Sequence, residues 1–318
     1  MWIVLPGVAL IFWGIAVKQP PTSSSALPPA KIEDGRAFQS PAYDRPARRG
    51  TGRIVLGSLL LVGGVLLGIL IEDLRSSLSG WLKFGRPLRV HGRPRRCRRA
   101  RGTGWHDDAT PSLERLGPWT RARLGERWLA AARAEHASVP AFHHLGSQLA
   151  AAGAPVALVN RCEVAADDEI RHARRCFALA RAYAGIDWTA GELRDPGPAA
   201  ADLPSLAVES LIDGCLGEGI AADLAREGAR RATDPVIAES LEMIANDEAS
   251  HAELAWDVVA FCVAQGGADV QHALATAVRT ARAAASPGPI DLERSTCKQI
   301  ARARLSSVRD RLAMLMLM

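Results

Sequence analysis

Two short stretches of this chain decide its fold: DDEIRHARRC at residues 167–176 and NDEASHAELAW at residues 246–256. Each contains a glutamate and a histidine three positions apart, and residues with this spacing share one face of an α-helix. One such pair is common in proteins, but two pairs in one chain indicate a site built by two facing helices. The pairs are Glu169 with His172 and Glu248 with His251.

Two further glutamates belong to the helices that precede these motifs. Glu135 and Glu218 each interrupt an apolar stripe of helical periodicity, as Glu169 and Glu248 do in theirs. An ionised carboxylate is very costly to bury without a compensating charge. Four carboxylates in one core therefore predict bound metal, with a polar network of Glu and His side chains as the alternative. The predicted metal ligands are Glu135, Glu169, His172, Glu218, Glu248 and His251.

The spacing of the four glutamates predicts two helical hairpins. In an antiparallel hairpin, residues at one level are equally far from the turn. The midpoint between Glu135 and Glu169 is Ala152, beside Gly153, and the midpoint of the second pair of glutamates lies beside Asp234-Pro235. Both midpoints coincide with helix-breaking residues, so each hairpin should hold its ligands at one height.

Helical periodicity predicts four long helices. The connection between the second and the third has 20 residues, 185–204, far more than an antiparallel neighbour needs. At ~3.3 Å per extended residue it could run the full length of the helices. The predicted fold is therefore all-α, a four-helix bundle with one long crossover. The predicted helices span residues 120–152, 155–184, 205–232 and 234–266.

Two apolar runs precede the predicted bundle. The second holds 18 residues without a charge, close to the ~20 that cross a bilayer as a helix. The first is a retained helix or a cleaved signal peptide. Lys and Arg are more frequent after the second run than between the two, which predicts a bundle on the cytoplasmic side of the inner membrane. The predicted organisation is a transmembrane helix at 1–17, a Pro/Ser-rich loop at 18–53, a transmembrane helix at 54–71, a basic juxtamembrane linker at 72–111, the di-metal domain at 112–267 and C-terminal helices at 268–318.

The positive charge of the chain is concentrated in one segment. The net charge is +5, and residues 80–101 contain nine Lys or Arg and no Asp or Glu. Because this tract follows a predicted membrane span and has few aromatic residues, anionic membrane lipid is the favoured partner and nucleic acid the less favoured one. The six cysteines include no C-x-x-C pair. They predict buried free thiols in a reducing compartment.

Several polar residues near the ligands are assigned subsidiary roles. Asp213 and Asp247 are candidate acceptors for the N–H groups of the ligand histidines. Asp167 and Asp168 are expected to face solvent. Glycines on both sides of Glu218 predict close packing or a local bulge. The histidines expected to lie off the ligand face are His136, His143 and His144.

The ligand set, with the segment AEHASVPAF and the two stretches quoted above, resembles the ferritin-like di-iron carboxylate superfamily. That superfamily includes ferritins, rubrerythrins, di-iron hydroxylases and the small subunit of ribonucleotide reductase. The resemblance covers residues 120–266. The quoted segments are similar to those of an uncharacterised membrane-associated bacterial branch of the superfamily. It implies two iron ions, with manganese or a mixed pair as alternatives. Glu169 and Glu248 would bridge the metals, Glu135 and Glu218 would bind terminally, and each histidine would bind one metal.

This resemblance leaves three functional classes open. The first is an oxidoreductase in which O2 or peroxide oxidises iron or a small, lipid-soluble substrate, with electrons from an unknown donor. No Tyr lies close to the ligands in the sequence, which argues against a tyrosyl radical. The second class is iron binding or buffering at the membrane without turnover. The third and weaker one is a tRNA-modifying di-iron hydroxylase.

Overall fold

The part of the chain that the structure describes is mostly helical, as the sequence predicts. The two apolar runs at 1–17 and 54–71 lie outside it. Among the described helices, none combines the length and the apolar character that crossing a membrane requires. The structure is a computed structural model, and it describes residues 86–90, 93–193, 202–282 and 292–317.

The first hairpin consists of two long helices, α1 (Pro118–Ala151) and α2 (Val156–Ala184). Gly153, in the turn between them, has φ +74°, and Gly185 ends α2 with φ +64°. Glycine adopts this left-handed conformation without the steric cost that a Cβ imposes. The bounds agree with the predicted helices to within two residues.

The second hairpin is less regular. Its first arm contains α3 (Leu203–Glu209), a π-helical segment (Ser210–Glu218) and α4 (Gly219–Arg231) in direct succession. Its second arm is α5 (Pro235–Thr280). The side chain of Asp234 caps α5 by accepting hydrogen bonds from the backbone N–H groups of the second and third helical residues. At Gly267 the backbone leaves helical geometry with φ 51° and ψ −131°, so α5 is kinked where the predicted fourth helix ends.

Helices α2 and α5 are antiparallel, because residues later in α2 contact residues earlier in α5. The first arm of the second hairpin is antiparallel to α5 as well, so it runs in the same direction as α2. The start of this arm, at Asp202, therefore lies at the opposite end of the helices from Gly185. The contacts that establish the direction join Arg161 to Asp257, His172 to Asp247 and Arg175 to Ser240.

Four short strands and a sixth helix surround the hairpins. β1 pairs with β2, and β3 pairs with β4, both antiparallel. The sequence does not predict these strands, since each has three residues and three of them lie in the Arg-rich tract, where no alternation of apolar and polar residues is long enough to be recognised. They are β1 (Leu88–Val90), β2 (Arg93–Arg95), β3 (Arg99–Arg101) and β4 (Trp188–Ala190); the sixth helix is α6 (Arg294–Leu315).

The buried apolar residues of the hairpins form two main clusters. The first, which includes Phe142 and Leu158, lies toward the turn between α1 and α2. The second, which includes Trp128 and Leu179, lies toward the beginning of α1 and the end of α2. All six cysteines are buried free thiols, which confirms the predicted packing role of those on the helices. The two clusters leave a layer between them, and this layer contains the polar residues described below.

At Gly125, α1 lies very close to the C-terminal end of α2. A Cβ at this position would lie 2.8 Å from the Cβ of Ala184 and 3.2 Å from its backbone nitrogen. We expect Gly125→Leu to lower the free energy of unfolding by about 2–3 kcal/mol, because the helices would have to separate. Ala122→Leu, at an exposed position of the same helix, is the matched control and should change it by less than about 0.5 kcal/mol. Chemical denaturation monitored by circular dichroism measures both; equal effects would contradict the close approach.

Candidate metal centre

The six residues that the sequence predicts as ligands come together in one buried layer. None of their side chains is more than 2% exposed. They belong to α1, α2, the π-helical segment and α5. Buried apolar residues lie before and after the ligand position on each of these elements, except that those following Glu218 lie on α4. The layer is thus enclosed on both sides by apolar packing. Its members are Glu135, Glu169, His172, Glu218, Glu248 and His251.

These residues form two overlapping groups, each of which could hold a metal ion. In each group, one ligand atom per residue lies within 4.8 Å of the corresponding atoms of all the others. Glu169 belongs to both groups, and Glu248 belongs to one. The first group is Glu135, Glu169, His172 and Glu248; the second is Glu169, Glu218 and His251.

The carboxylates of Glu135, Glu169 and Glu218 receive almost no hydrogen bonds from the described residues. Glu135 and Glu169 lie close enough to share a proton. Apart from that proton, the oxygens of these two residues and of Glu218 accept no hydrogen bond from the described residues. The Nδ1 atoms of His172 and His251 lie 3.7 and 3.5 Å from the oxygens of Glu169 and make no hydrogen bond either. Buried polar atoms almost always have a partner, so this set of donor atoms fits a cation at their centre.

The other ring nitrogen of each histidine is held by an aspartate from the opposite helix. His172 Nε2 of α2 lies 2.9 Å from Asp247 Oδ2 of α5. His251 Nε2 of α5 lies 3.2 Å from Asp168 Oδ2 of α2. Arg171 contacts both aspartates, at 2.8 Å for Asp168 and 2.9 Å for Asp247. This crossed arrangement directs the Nδ1 atom of each imidazole into the layer, which is how a carboxylate orients a metal-binding histidine.

The prediction for the aspartates is confirmed at one position and wrong at two. Asp247 binds a ligand histidine as predicted. Asp213 instead forms a bidentate ion pair with Arg89, at 2.6 and 2.7 Å. Asp168 does not face solvent as predicted, because it contacts His251 on the facing helix. The missed signal is that both motifs read Asp-Glu-x-x-His, so antiparallel pairing brings the Asp of each motif next to the His of the other.

The remaining histidines near Glu135 stay outside both groups, as predicted. His136 packs edge-on against Trp105, with ring centroids 4.5 Å apart. His143 is exposed and pairs with Glu163 at 3.0 Å. Neither contact directs a ring nitrogen toward the ligand layer.

The π-helical segment carries Glu218 at its C-terminal end. A π-helix has a wider turn than an α-helix, and such segments occur frequently at functional sites. Gly214, one turn before Glu218, approaches α5 so closely that a Cβ would lie 2.3 Å from the Cβ of Ala255. The glycines around Glu218 therefore combine the two predicted roles, close packing at Gly214 and a local change of helix geometry.

Burial and mutual repulsion raise the pKa values of the ligand carboxyl groups. Burial raises the pKa of Glu135 well above its usual range, and the charge of Glu169 adds to this. The pKa of Glu169 is raised well above its usual range by burial and then by the charge of Glu248. Burial raises the pKa of Glu218 to about 7, against the opposing charges of His251 and Arg86. Without a cation, these groups therefore hold protons at a pH at which exposed glutamates are ionised.

Without divalent metal, the folded protein should be more stable at about pH 5 than at about pH 8. A carboxyl group whose folded-state pKa is raised contributes its full stability below the unfolded pKa and loses it as the pH rises through the folded value, which for Glu218 is about 7. Thermal unfolding of the full chain in detergent and chelator measures this difference. Glu218→Gln should reduce the stability difference between the two pH values. Burial lowers the pKa of His136, which contributes to the difference with the opposite sign. Because His136 is present in both proteins, its contribution cancels in the comparison. A pH difference that Glu218→Gln leaves unchanged would contradict this assignment.

The crossed aspartates should matter for metal binding although they lie outside both groups. We expect Asp168→Asn and Asp247→Asn each to weaken metal binding by about 10- to 100-fold, because an amide holds the imidazole less firmly and can present the wrong group to Nε2. Asp167→Asn, at an exposed position of the same helix, is the control and should leave affinity unchanged. Equilibrium dialysis against Co²⁺ measures the affinities. Equal affinity in all four proteins would show that the aspartates do not orient the histidines.

Comparison of the chain with known protein families, with curated proteins and with solved structures finds no match.

Proposed function

We propose that this protein is a membrane-anchored, ferritin-like protein that binds a pair of iron ions and uses them as an oxidoreductase. The observation that carries the proposal is the convergence of buried carboxylate and imidazole ligand atoms in one layer. Among the described residues, the oxygens of Glu218 and the Nδ1 atoms of His172 and His251 have no hydrogen-bond partner. A protein core gains nothing from such a set unless a cation neutralises it. Two groups that share Glu169 correspond to two metal ions with one carboxylate common to both.

The directions of the helices support the ferritin-like part of this proposal. Two helical hairpins joined by a connection that returns along their length are the topology of that superfamily. The ligand positions agree as well, since two helices supply one glutamate each and the other two supply a Glu-x-x-His pair each.

The composition of the site favours iron or manganese over zinc. Four carboxylates and two imidazoles form an oxygen-rich set with one nitrogen donor per metal, whereas zinc sites use fewer oxygens and more Cys or His. None of the six cysteines belongs to either ligand group. We propose iron as the physiological metal, and its bound pair would supply the one-electron steps by which O2 or peroxide oxidises a substrate.

The protein's own residues have three roles in this chemistry. The glutamates and the Nδ1 atoms of the histidines hold the metals, while Asp168 and Asp247 keep each ring in the tautomer that carries its proton on Nε2. The apolar clusters on both sides exclude bulk water from the layer. Glu218 lies on the π-helical segment, where the wider turn gives its carboxylate room to change its binding mode.

The setting of the site suggests the class of substrate. The described domain follows two apolar runs and the Arg-rich tract, so we propose that it is held at the cytoplasmic face of the inner membrane. A small, lipid-soluble molecule would reach the site from the bilayer, and an unidentified donor would supply electrons. Membrane lipid is the proposed partner surface.

Metal analysis of the purified full chain tests the metal centre. We expect about two iron ions per chain after anaerobic loading with Fe(II). The double variant Glu169→Ala, Glu248→Ala should lose most of this metal. A matched double variant, Asp167→Ala with Glu242→Ala, removes two exposed carboxylates from the same two helices and should bind as much iron as the parent. Equal iron in all three proteins, or none in the parent, would overturn the proposal.

Oxygen consumption separates the functional classes. Addition of O2 to the iron-loaded protein, with and without extracted membrane lipids, should show uptake that depends on the lipid extract if the protein oxidises a lipid-soluble substrate. Uptake that stops once the iron is oxidised indicates ferroxidase activity. Absence of O2 uptake, together with no consumption of added hydrogen peroxide, would contradict an oxidoreductase and leave iron binding as the function.

A further inference from the structure

A buried arginine from outside the helices lies next to the metal centre. Arg86 belongs to the basic tract that follows the predicted membrane span, yet only 6% of it is exposed. A Cβ at Gly214 would lie 3.4 Å from its Nη1 atom, so the guanidinium contacts the π-helical segment one turn before Glu218. An arginine keeps its positive charge even when it is buried. The layer of ligand residues therefore has a fixed cation on the side of Glu218.

The segment that carries Arg86 is anchored independently of any metal. Leu88 and Val90, in β1, are almost completely buried, and Leu88 packs against Ala137 of α1. Arg89 forms the bidentate ion pair with Asp213 on the π-helical segment. These contacts hold the backbone beside the site, so the position of Arg86 is part of the fold.

The charge of Arg86 acts on one side of the ligand layer. Burial raises the pKa values of Glu218, Cys215 and Cys162, and the positive charge of Arg86 opposes that rise at all three. The principal charges that act on Glu135 and Glu169 are instead those of the other ligand residues. The guanidinium is therefore within electrostatic range of the second ligand group and not a main influence on the first.

We infer that Arg86 is a positioning residue that competes with metal for the Glu218 carboxylate and so makes the position formed by Glu169, Glu218 and His251 the weaker, exchangeable one. This inference rests on the proposed metal centre. The guanidinium attracts the carboxylate and repels a divalent ion at the same place, and both effects lower affinity there. The first group offers four ligand residues and the second three, which acts in the same direction. The second position would then be the one at which bound metal exchanges more readily.

Titration of the metal-free full chain in detergent with Co²⁺ tests the inference, with visible absorption and equilibrium dialysis as readouts. Wild-type protein should bind two ions in separate steps. In Arg86→Gln and in Arg86→Met, which retains apolar packing, the weaker step should become about tenfold tighter while the tighter step stays unchanged. Arg86→Lys keeps the charge and should resemble the wild type. Arg89→Gln removes one positive charge from the same segment and should shift neither step by more than about threefold, because Asp213 screens it.

The outcomes separate the two hypotheses. Binding of Co²⁺ in two steps, with no tightening of the weaker step in either neutral variant, overturns the role of Arg86 and leaves the metal centre intact. Loss of affinity at both steps together, or a neutral variant whose thermal unfolding shows it to be misfolded, means that Arg86 is structural and also overturns the inference. Absence of Co²⁺ binding in the wild type overturns the metal centre itself. In a Glu218→Gln background, adding Arg86→Gln should tighten the weaker step by less than it does in the wild type, since the carboxylate for which Arg86 competes is gone and only its repulsion of the ion is removed.

Discussion

The structure depends on one electrostatic constraint, the burial of four carboxyl groups close together in a single layer. Apolar packing on both sides keeps water away, so the carboxyl groups are either protonated or neutralised by cations. In each hairpin, the ligand residues of the two arms lie equally far from the turn. The ligands of both hairpins therefore lie in one layer, although the second hairpin contains a π-helical segment. The crossed aspartates and Arg171 then fix the imidazoles. Helix length, turn position and motif spacing together bring the ligand residues into one layer.

The features that could be predicted from the sequence are those that depend on residue spacing within a single helix. Apolar periodicity located the long helices, and glutamates that interrupt it located the buried layer, because a helix shows its faces through its own spacing. Asp168 was misassigned because its partner, His251, lies on another helix, and exposure judged from one helix cannot include a neighbour. The π-helical geometry of residues 210–218 is only suggested by the glycines, and the close approach of Gly214 to Ala255 depends on a second helix, which the spacing within one helix does not show.

The Arg-rich tract also shows that the sequence of one segment does not reveal its contacts with other segments. In the sequence its arginines look alike, and their common feature is charge, which indicates an anionic partner. In the fold they differ: Arg86 is buried, Arg89 forms an ion pair with Asp213, and Arg99 forms an exposed one with Glu126. What separates them is the pair of apolar residues Leu88 and Val90, which insert this part of the tract among the helices. A tract read only as a contact to the membrane surface thus also supplies a part of the buried core.

The crossed contacts between the two Asp-Glu-x-x-His motifs have a consequence for the symmetry of the molecule. The aspartate of each motif contacts the histidine of the other, so α2 and α5 are related locally by an approximate twofold axis between them. That axis does not extend to the outer arms, because α1 is a regular helix whereas the arm that carries Glu218 is interrupted and has an arginine beside it. A pair of ions in this frame would share equivalent inner neighbours and unequal outer ones. The two metal positions would therefore differ in their electrostatic surroundings, although their inner ligands are equivalent.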